Sequence, residues 1–287
     1  MKILVIGKNG QVGSALLNVA KLKGINTYGV GRDELDILDK ATIEKVVKKQ
    51  KPTIIINTSA FHVVADCELH PEDAFLVNSA AVKHLADVCL ENKIRLVHFS
   101  TDKVFDGDKS TPYSEIDRPN PLQIYGISKL AGEECALYYN PDTLIIRTCG
   151  VFGGKSGSRS KKGNFVLYLL KEAHIKKTLE ISSEQIVSVA YAEDLASATI
   201  DLILKHAPKG IYNIVNKGEC SWARFAEEIV KTANVSMEIV GVDRKGYVGG
   251  MKIPKYTALS TKKINALGIK LPTWQDGLKR YMAFLEK

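Results

Sequence analysis

The sequence predicts an α/β protein with a doubly wound parallel sheet and a small C-terminal α/β lobe for substrate. Three observations predict it. Through the first half of the chain, short apolar runs alternate with longer segments of helical spacing, the mark of βαβ units and a parallel sheet. A glycine-rich turn, GKNGQVG over residues 7–13, joins the first run to the first helical segment. After about Cys149 the alternation breaks into shorter, mixed elements.

Each element follows from its own residues. Residues 2–6 form a strand whose run is apolar without break from Ile3 to Ile6, as burial on both faces requires. Residues 11–23 place Val12, Leu16, Val19, Ala20 and Lys23 at steps of three and four, a helix. Strands are predicted at 26–30, 53–57 (TIIIN), 95–100 and 143–148 (TLIIRT), and helices at 42–49, 71–91 and 121–139. Pro71 suits a first helical turn. Right-handed crossovers then wind the sheet on both faces. Beyond it come a helix at 164–176, a short strand at 179–182, a helix at 193–205 and a strand at 211–215. Ser221 offers an N-cap oxygen to a helix ending near Ala233, and 274–285 closes the chain as an amphipathic helix. The predicted division is a nucleotide-binding domain at 1–150, continued by about 183–215, with a substrate lobe from 151–182 and 216–287.

Composition narrows the class. The chain has 287 residues, 45% of them hydrophobic, enough for a well-buried core and against disorder. No segment approaches the roughly 18–20 consecutive apolar residues of a membrane span. The apolar stretch at the N-terminus is too short for a signal peptide, so a cytoplasmic location without membrane contact is expected. The five cysteines, Cys67, Cys89, Cys135, Cys149 and Cys220, form no CxxC pair. They suit free thiols in a reducing compartment, and no Cys/His cluster has zinc-ligand spacing. A net charge of +8 fits an anionic partner or simply a lysine-rich surface. No aromatic-basic platform supports nucleic-acid binding. Tyr138, Tyr139, Trp222 and Trp274 read as packing residues, and the six histidines as structural or surface groups.

The glycine turn carries the first chemistry. Gly7, Gly10 and Gly13 form GxxGxxG between a strand and a helix, with Gln11 and Val12 opening that helix. Such glycines let the backbone reach a pyrophosphate, which sits on the helix N-terminus. Strand two ends in Gly31-Arg32-Asp33. A cation there accommodates a 2′-phosphate, whereas an acid accepts hydrogen bonds from a 2′-hydroxyl. Arg32 favours NADP(H), with Lys8 as a possible helper, and Asp33 beside it keeps NAD(H) open.

The second chemistry is YxxxK. Tyr125 and Lys129 lie one turn apart on a predicted helix after strand four. The Tyr125 phenol suits a general acid that gives its proton to a carbonyl as hydride arrives. Lys129 favours the phenolate and can hold the nicotinamide ribose. Strand four ends Ser100-Thr101-Asp102, at the carboxyl edge where such sheets bind ligands. Thr101, helped by Ser100, can hydrogen-bond the substrate carbonyl.

Taken together, GKNGQVG at 7–13, DELDI at 33–37, NTSAF at 57–61, STDKVFDG at 100–107, YGISKLAGE at 125–133 and RTCGVFG at 147–153 resemble the extended short-chain dehydrogenases/reductases. Within these Rossmann-fold enzymes they resemble the dTDP-4-dehydrorhamnose reductase family. The likeness continues through GNFV at 163–166, YAEDLA at 191–196 and PKYTAL at 254–259. It implies reduction of the 4-keto group of a nucleotide-diphosphate sugar, on the way to dTDP-L-rhamnose. It further implies Thr101, Tyr125 and Lys129 as the catalytic trio and Gly10, Gln11 and Val12 at the pyrophosphate. Asp36 and Ile37 would flank the adenine, Ala60 and Phe61 would line the cofactor channel, and Thr101 and Asp102 would face the substrate. Gly150 and Asn164 are added as substrate-side candidates, and a homodimer is expected from relatives; the sequence does not decide whether Mg²⁺ binds.

Three departures fall on the substrate side. The family's tryptophan after Arg-Thr-Ser is Gly150 here, after Cys149. Residues 183–189 read SEQIVSV, with Ser188 and Val189 replacing Pro-Thr, and the usual Arg-Pro is Ile253-Pro254. Another nucleotide sugar or a non-sugar ketone fits these changes. Two other readings stand beside the reductase: an idle NADP-binding regulator like the β subunit of methionine adenosyltransferase, and an epimerase or dehydratase using the same Tyr–Lys pair. The intact trio argues for an enzyme. The basic loop at 155–162 is expected either to close over the diphosphate or to remain a solvated loop.

Overall fold

The computed structural model describes residues 1–155, 163–248 and 250–286. Along the chain run β1 (Ile3–Ile6), α1 (Gln11–Leu22), β2 (Thr27–Val30), α2 (Lys40–Gln50), β3 (Ile54–Asn57), α3 (Val64–Leu69), α4 (Pro71–Phe75) and α5 (Ala81–Glu91). Next come β4 (Arg95–Thr101), α6 (Ile124–Tyr139), β5 (Leu144–Thr148), β6 (Val151–Phe152), α7 (Phe165–Ala173), β7 (Thr178–Ser182), β8 (Ile186–Val187) and β9 (Ala190–Tyr191). The chain ends with α8 (Ala192–Leu204), β10 (Gly210–Asn213), β11 (Cys220–Ser221), α9 (Trp222–Thr232), β12 (Glu238–Val242), β13 (Tyr247–Val248), β14 (Met251–Lys252), α10 (Lys262–Ala266) and α11 (Trp274–Leu285).

Six parallel strands form the central sheet in the order β10-β5-β4-β3-β1-β2. This is the α/β architecture expected from the alternation. Side chains leave a strand on alternating faces, and the core divides accordingly. Ile3, Val5, Ile54, Ile56, Val97, Phe99, Leu144 and Ile146 join the core shared with α1 and α8. Leu4, Ile6, Ile55, Leu96 and Ile145 join the one shared with α2 and α5. Burial on both faces is why these strands read as unbroken apolar runs. The strand order reverses between β1 and β3, which makes the crevice beyond their carboxyl ends the place for a ligand.

The remaining residues build smaller pieces. The pairs β7–β12 and β6–β9 are parallel, and β8–β11 is antiparallel. Around them Phe152, Tyr191, Phe225, Trp274 and Tyr281 pack ring against ring. Trp274 is core as expected, whereas Tyr138 is 81% exposed, contrary to the packing role read from sequence. Its α6 position points away from the sheet. Among the described residues no helix is long and apolar enough to cross a membrane, and no group of three or more His, Cys, Asp or Glu is arranged to hold a metal ion. Of the basic loop expected at 155–162, residues 156–162 lie outside the described residues.

The helix expected over 71–91 is interrupted. Between α4 and α5, Leu76–Ala80 winds as a π-helix. The wider turn brings Asn78, fully buried, to the loop after β3. There its Oδ1 accepts from Phe61 N at 2.9 Å, and its Nδ2 donates to Phe61 O at 2.8 Å and Ser128 Oγ at 3.0 Å. The short α3, absent from the sequence reading, has only one buried residue, Cys67, and so lacks the periodic apolar stripe that marks a helix.

Candidate active site

The crevice at the switch point is a cleft of about 620 Å³, large enough for a cofactor-sized ligand. Gly7, Gly10, Gln11, Val12, Arg32, Ala60, Ser100, Tyr125 and Lys129 line it. A pocket sharing Gly7, Arg32 and Ala60 continues past Asp36, Ile37 and Phe61. On the other side, a pocket sharing Ser100 and Tyr125 is lined by Thr101, Asp102, Gly150 and Asn164. The fold thus brings the predicted residues to one continuous channel, apart from Gly13, which acts from beneath.

Gly13 shows why the turn is glycine-rich. A Cβ there would stand 2.1 Å from Gly7 O, so only glycine lets α1 begin this close to β1. Gly10 precedes α1 with no side-chain cap, leaving the first N–H groups of the helix for an anion. These features fit a dinucleotide pyrophosphate. At the end of β2, Arg32 and Asp33 are exposed beside the cleft. Lys8 is spoken for, because it pairs with Glu34, which also accepts from Gly31 N at 2.9 Å. The pair holds the Glu34 carboxyl below its ordinary value.

The Tyr–Lys side of the cleft is built on one face of α6. Tyr125, Lys129 and Glu133 recur every four residues and so point the same way. Opposite them, His98 and Ser100 alternate along β4, and Arg147 extends from β5. Tyr125 lines the same pocket as Thr101. Burial raises the phenol well above its usual value, Thr101 lowers it and the charge of Asp102 raises it further. The phenol therefore keeps its proton at neutral pH. Thr101 Oγ1 donates to Asp102 Oδ1 at 3.1 Å and accepts from Lys103 N at 3.2 Å. Asp102 in turn accepts from Thr257 Oγ1, which ties the end of β4 to the C-terminal region.

Lys129 is buried and its Nζ donates to Phe99 O at 2.6 Å. Nζ also lies 3.2 Å from His98 Nε2. Burial lowers the Lys129 pKa to about 8, against the opposing charge of Glu133. Ser100 donates to Glu133 Oε1, and Glu133 receives Arg147 Nε at 2.9 Å and Nη2 at 2.6 Å. The Ser100 hydroxyl is therefore engaged below the cleft it lines. Asn164 caps α7 through Leu167 N at 3.0 Å, while its Nδ2 contacts Gln11 Oε1 and Tyr281 Oη, each at 3.0 Å. It ties the α1 start to the aromatic cluster.

Gly150 departs from the family pattern for a steric reason. Its φ is +51°, and a Cβ would meet Val189 Cγ1 at 2.9 Å and Ser188 O at 3.0 Å. Two of the three departures, Gly150 and Ser188-Val189, thus form one contact. Across the same pocket stands Trp222, packed edge-on against Phe165 at 4.9 Å between ring centroids. Sequence reading placed Trp222 in packing alone. It also placed His62 and His98 among structural or surface groups. His62 lines both pockets, and His98 contacts Lys129. The available signal was a histidine inside the otherwise apolar LVHFS run.

Comparison with known proteins agrees with this geometry. The family model described as "RmlD substrate binding domain" matches residues 1–286. The chain is 35% identical over 281 residues to the spore coat polysaccharide biosynthesis protein SpsK of Bacillus subtilis, covering 98% of this chain and 96% of the relative. It is 31% identical over 295 residues to the dTDP-4-dehydrorhamnose reductase of Sinorhizobium fredii, again covering 98% and 96%. Among solved structures, the dTDP-4-dehydrorhamnose reductase of Bacillus anthracis in complex with NADP superposes with a TM-score of 0.92, at 29% identity over 100% of this chain and 99% of that one.

Proposed function

The chain belongs to the RmlD substrate-binding-domain family, and from that premise we propose that it is an NAD(P)H-dependent oxidoreductase that reduces the 4-keto group of a dTDP-4-dehydro sugar. The observation that carries the proposal is the face of α6: Tyr125 stands with Lys129 in the same cleft as the glycine turn, and with Thr101 in the pocket beside it. Bound nicotinamide cofactor supplies the hydride. Thr101 and Tyr125 hold the carbonyl oxygen, and the protonated phenol gives its proton to that oxygen as the negative charge develops. Lys129, as an ammonium, stabilises the phenolate that remains and holds the cofactor ribose.

Residues 1–150, with about 183–215, hold the cofactor in this reading, and residues 151–182 and 216–287 supply the sugar side. Gln11, Val12 and the N-terminus of α1 receive the pyrophosphate, Asp36 and Ile37 the adenine. Arg32 is assigned to a 2′-phosphate, which makes NADPH the preferred cofactor and NADH the weaker one. Asp102, Gly150, Asn164 and Trp222 border the sugar. We also assign a homodimer to the outer faces of α4 and α6 and the π turn, where Phe75, Leu76, Ile127 and Tyr138 are exposed, with light scattering as the check, and a cytoplasmic place of action.

The test is consumption of NADPH and NADH with dTDP-4-dehydro-L-rhamnose, with Tyr125→Phe as control. Oxidation by the native protein, reduced roughly a hundredfold or more in the variant while cofactor binding persists, supports the assignment. Normal turnover by Tyr125→Phe would refute it.

A further inference from the structure

Beneath α6 a chain of polar groups runs from Ser59 through Asn57 and His98 to Lys129, and the reductase mechanism uses only the last of them. It begins at Ser59, whose backbone N–H donates to Asn57 Oδ1 at 3.1 Å. A backbone N–H can only donate, so the Asn57 carbonyl must face Ser59 and its NH2 group must face the other way. That NH2 group meets His98 Nδ1 at 3.2 Å. An amide NH2 can only donate as well, so His98 Nδ1 accepts. The ring is neutral, because full burial pushes its pKa well down. Its single proton therefore sits on Nε2.

His98 Nε2 lies 3.2 Å from Lys129 Nζ. An ammonium offers three donors and no acceptor, and would set N–H against N–H. An amine has a lone pair that accepts from Nε2–H, and it still has a hydrogen for Phe99 O at 2.6 Å. Reversing the polarity of the chain does not help the ammonium. It would turn the Asn57 NH2 group towards Ser59 N–H, or leave two donors facing between Asn57 and His98.

We propose that His98 is a positioning residue for the reduction: locked by Asn57 with its proton on Nε2, it docks Lys129 as a neutral amine, and Lys129 becomes an ammonium only by leaving His98. On leaving, Nζ takes one proton from water and turns to Tyr125 and the cofactor ribose. This rests on the reductase reading for the task the ammonium then performs. The charged and titratable neighbours are few. Tyr125 and Glu133 come from α6, and Glu133 favours the ammonium. Arg147 comes from β5 and is engaged by Glu133. His98 comes from β4. Burial lowers the Lys129 pKa to about 8, which brings the amine within reach of neutral pH.

The test follows Lys129 by lysine ¹³Cε–¹⁵Nζ NMR in the full-length, cofactor-free protein, with the signal identified by its loss in Lys129→Arg. The pH profile of kcat/KM for NADPH oxidation is recorded alongside. Two variants act by different chemistry. His98→Gln can turn a carbonyl oxygen to the ammonium. Asn57→Asp keeps an acceptor for Ser59 and adds one for Nδ1–H, moving the ring proton off Nε2. In both, the Lys129 pKa is expected to rise by about one unit, a tenfold change in the ammonium-to-amine ratio, and the basic limb of the profile to move up with it. A Lys129 pKa that stays put or falls in a folded variant overturns the proposal, whatever the turnover. A raised pKa in a protein that oxidises no cofactor upholds the docking and defeats the reductase reading instead.

Discussion

Glu133→Ala isolates the buried ion pair that fastens α6 to the sheet. Arg147 and Glu133 are each 1% exposed, and the carboxylate receives Arg147 Nε at 2.9 and 3.2 Å and Nη2 at 2.6 Å. Ser100 also donates to it, one residue before Thr101. Truncation strands a guanidinium where water cannot replace the acceptor, and among the described residues only the face of Phe105, 5.1 Å away, remains to it. Removing one partner of such a pair costs about 3–5 kcal/mol. Against a total stability of about 5–15 kcal/mol this is a large share, equivalent to a Tm lower by ~6–20 °C. Urea unfolding followed by circular dichroism measures the loss, and Glu133→Gln, which keeps one acceptor oxygen, should fall between the variant and the native protein. Because Ser100 loses its anchor next to Thr101, kcat should drop in the surviving folded fraction as well. A loss below about 1 kcal/mol, within the range of an exposed pair, would refute the claim that this pair holds α6 in place.

Three further outcomes are expected. Gly13→Ala should weaken NADPH binding at least about tenfold in a fluorescence titration, since its Cβ would fall 2.1 Å from Gly7 O and displace the start of α1. Gly150→Trp should destabilise the protein by about 1–3 kcal/mol in urea, through positive φ and overlap with Val189, and Val189→Gly in the same chain should recover part of that. Arg32→Ala should raise the KM for NADPH by roughly tenfold and leave that for NADH nearly unchanged, which removal of a 2′-phosphate contact requires; equal effects on both cofactors would remove Arg32 from that role.

The parallel sheet, the glycine turn and the Tyr–Lys helix were legible in the sequence because each depends on local patterning. Ile3–Ile6 and Ile54–Asn57 read as strands since both faces are buried. Gly13 read as a turn residue since the spacing to Gly7 is local. Tyr125 and Lys129 read as partners since four residues make one helical turn. The π-helix at Leu76–Ala80 was not legible, because it serves Asn78 and its bonds to Phe61, 17 residues away, and to Ser128, 50 residues away.

By itself, then, the sequence determined the α/β class, the glycine turn at the crevice and the pairing of Tyr125 with Lys129 on one helix face, all of which are set by periodicities within about thirty residues, the span of a βαβ unit. Only the tertiary structure decided what those residues touch. Lys129 meets His98, 31 residues distant in sequence, Asp102 meets Thr257 across 155, and Gly150 answers to Val189. Such contacts arise where two elements pack, and a hydrogen bond's direction depends on the whole chain of donors and acceptors behind it. No single segment carries that information.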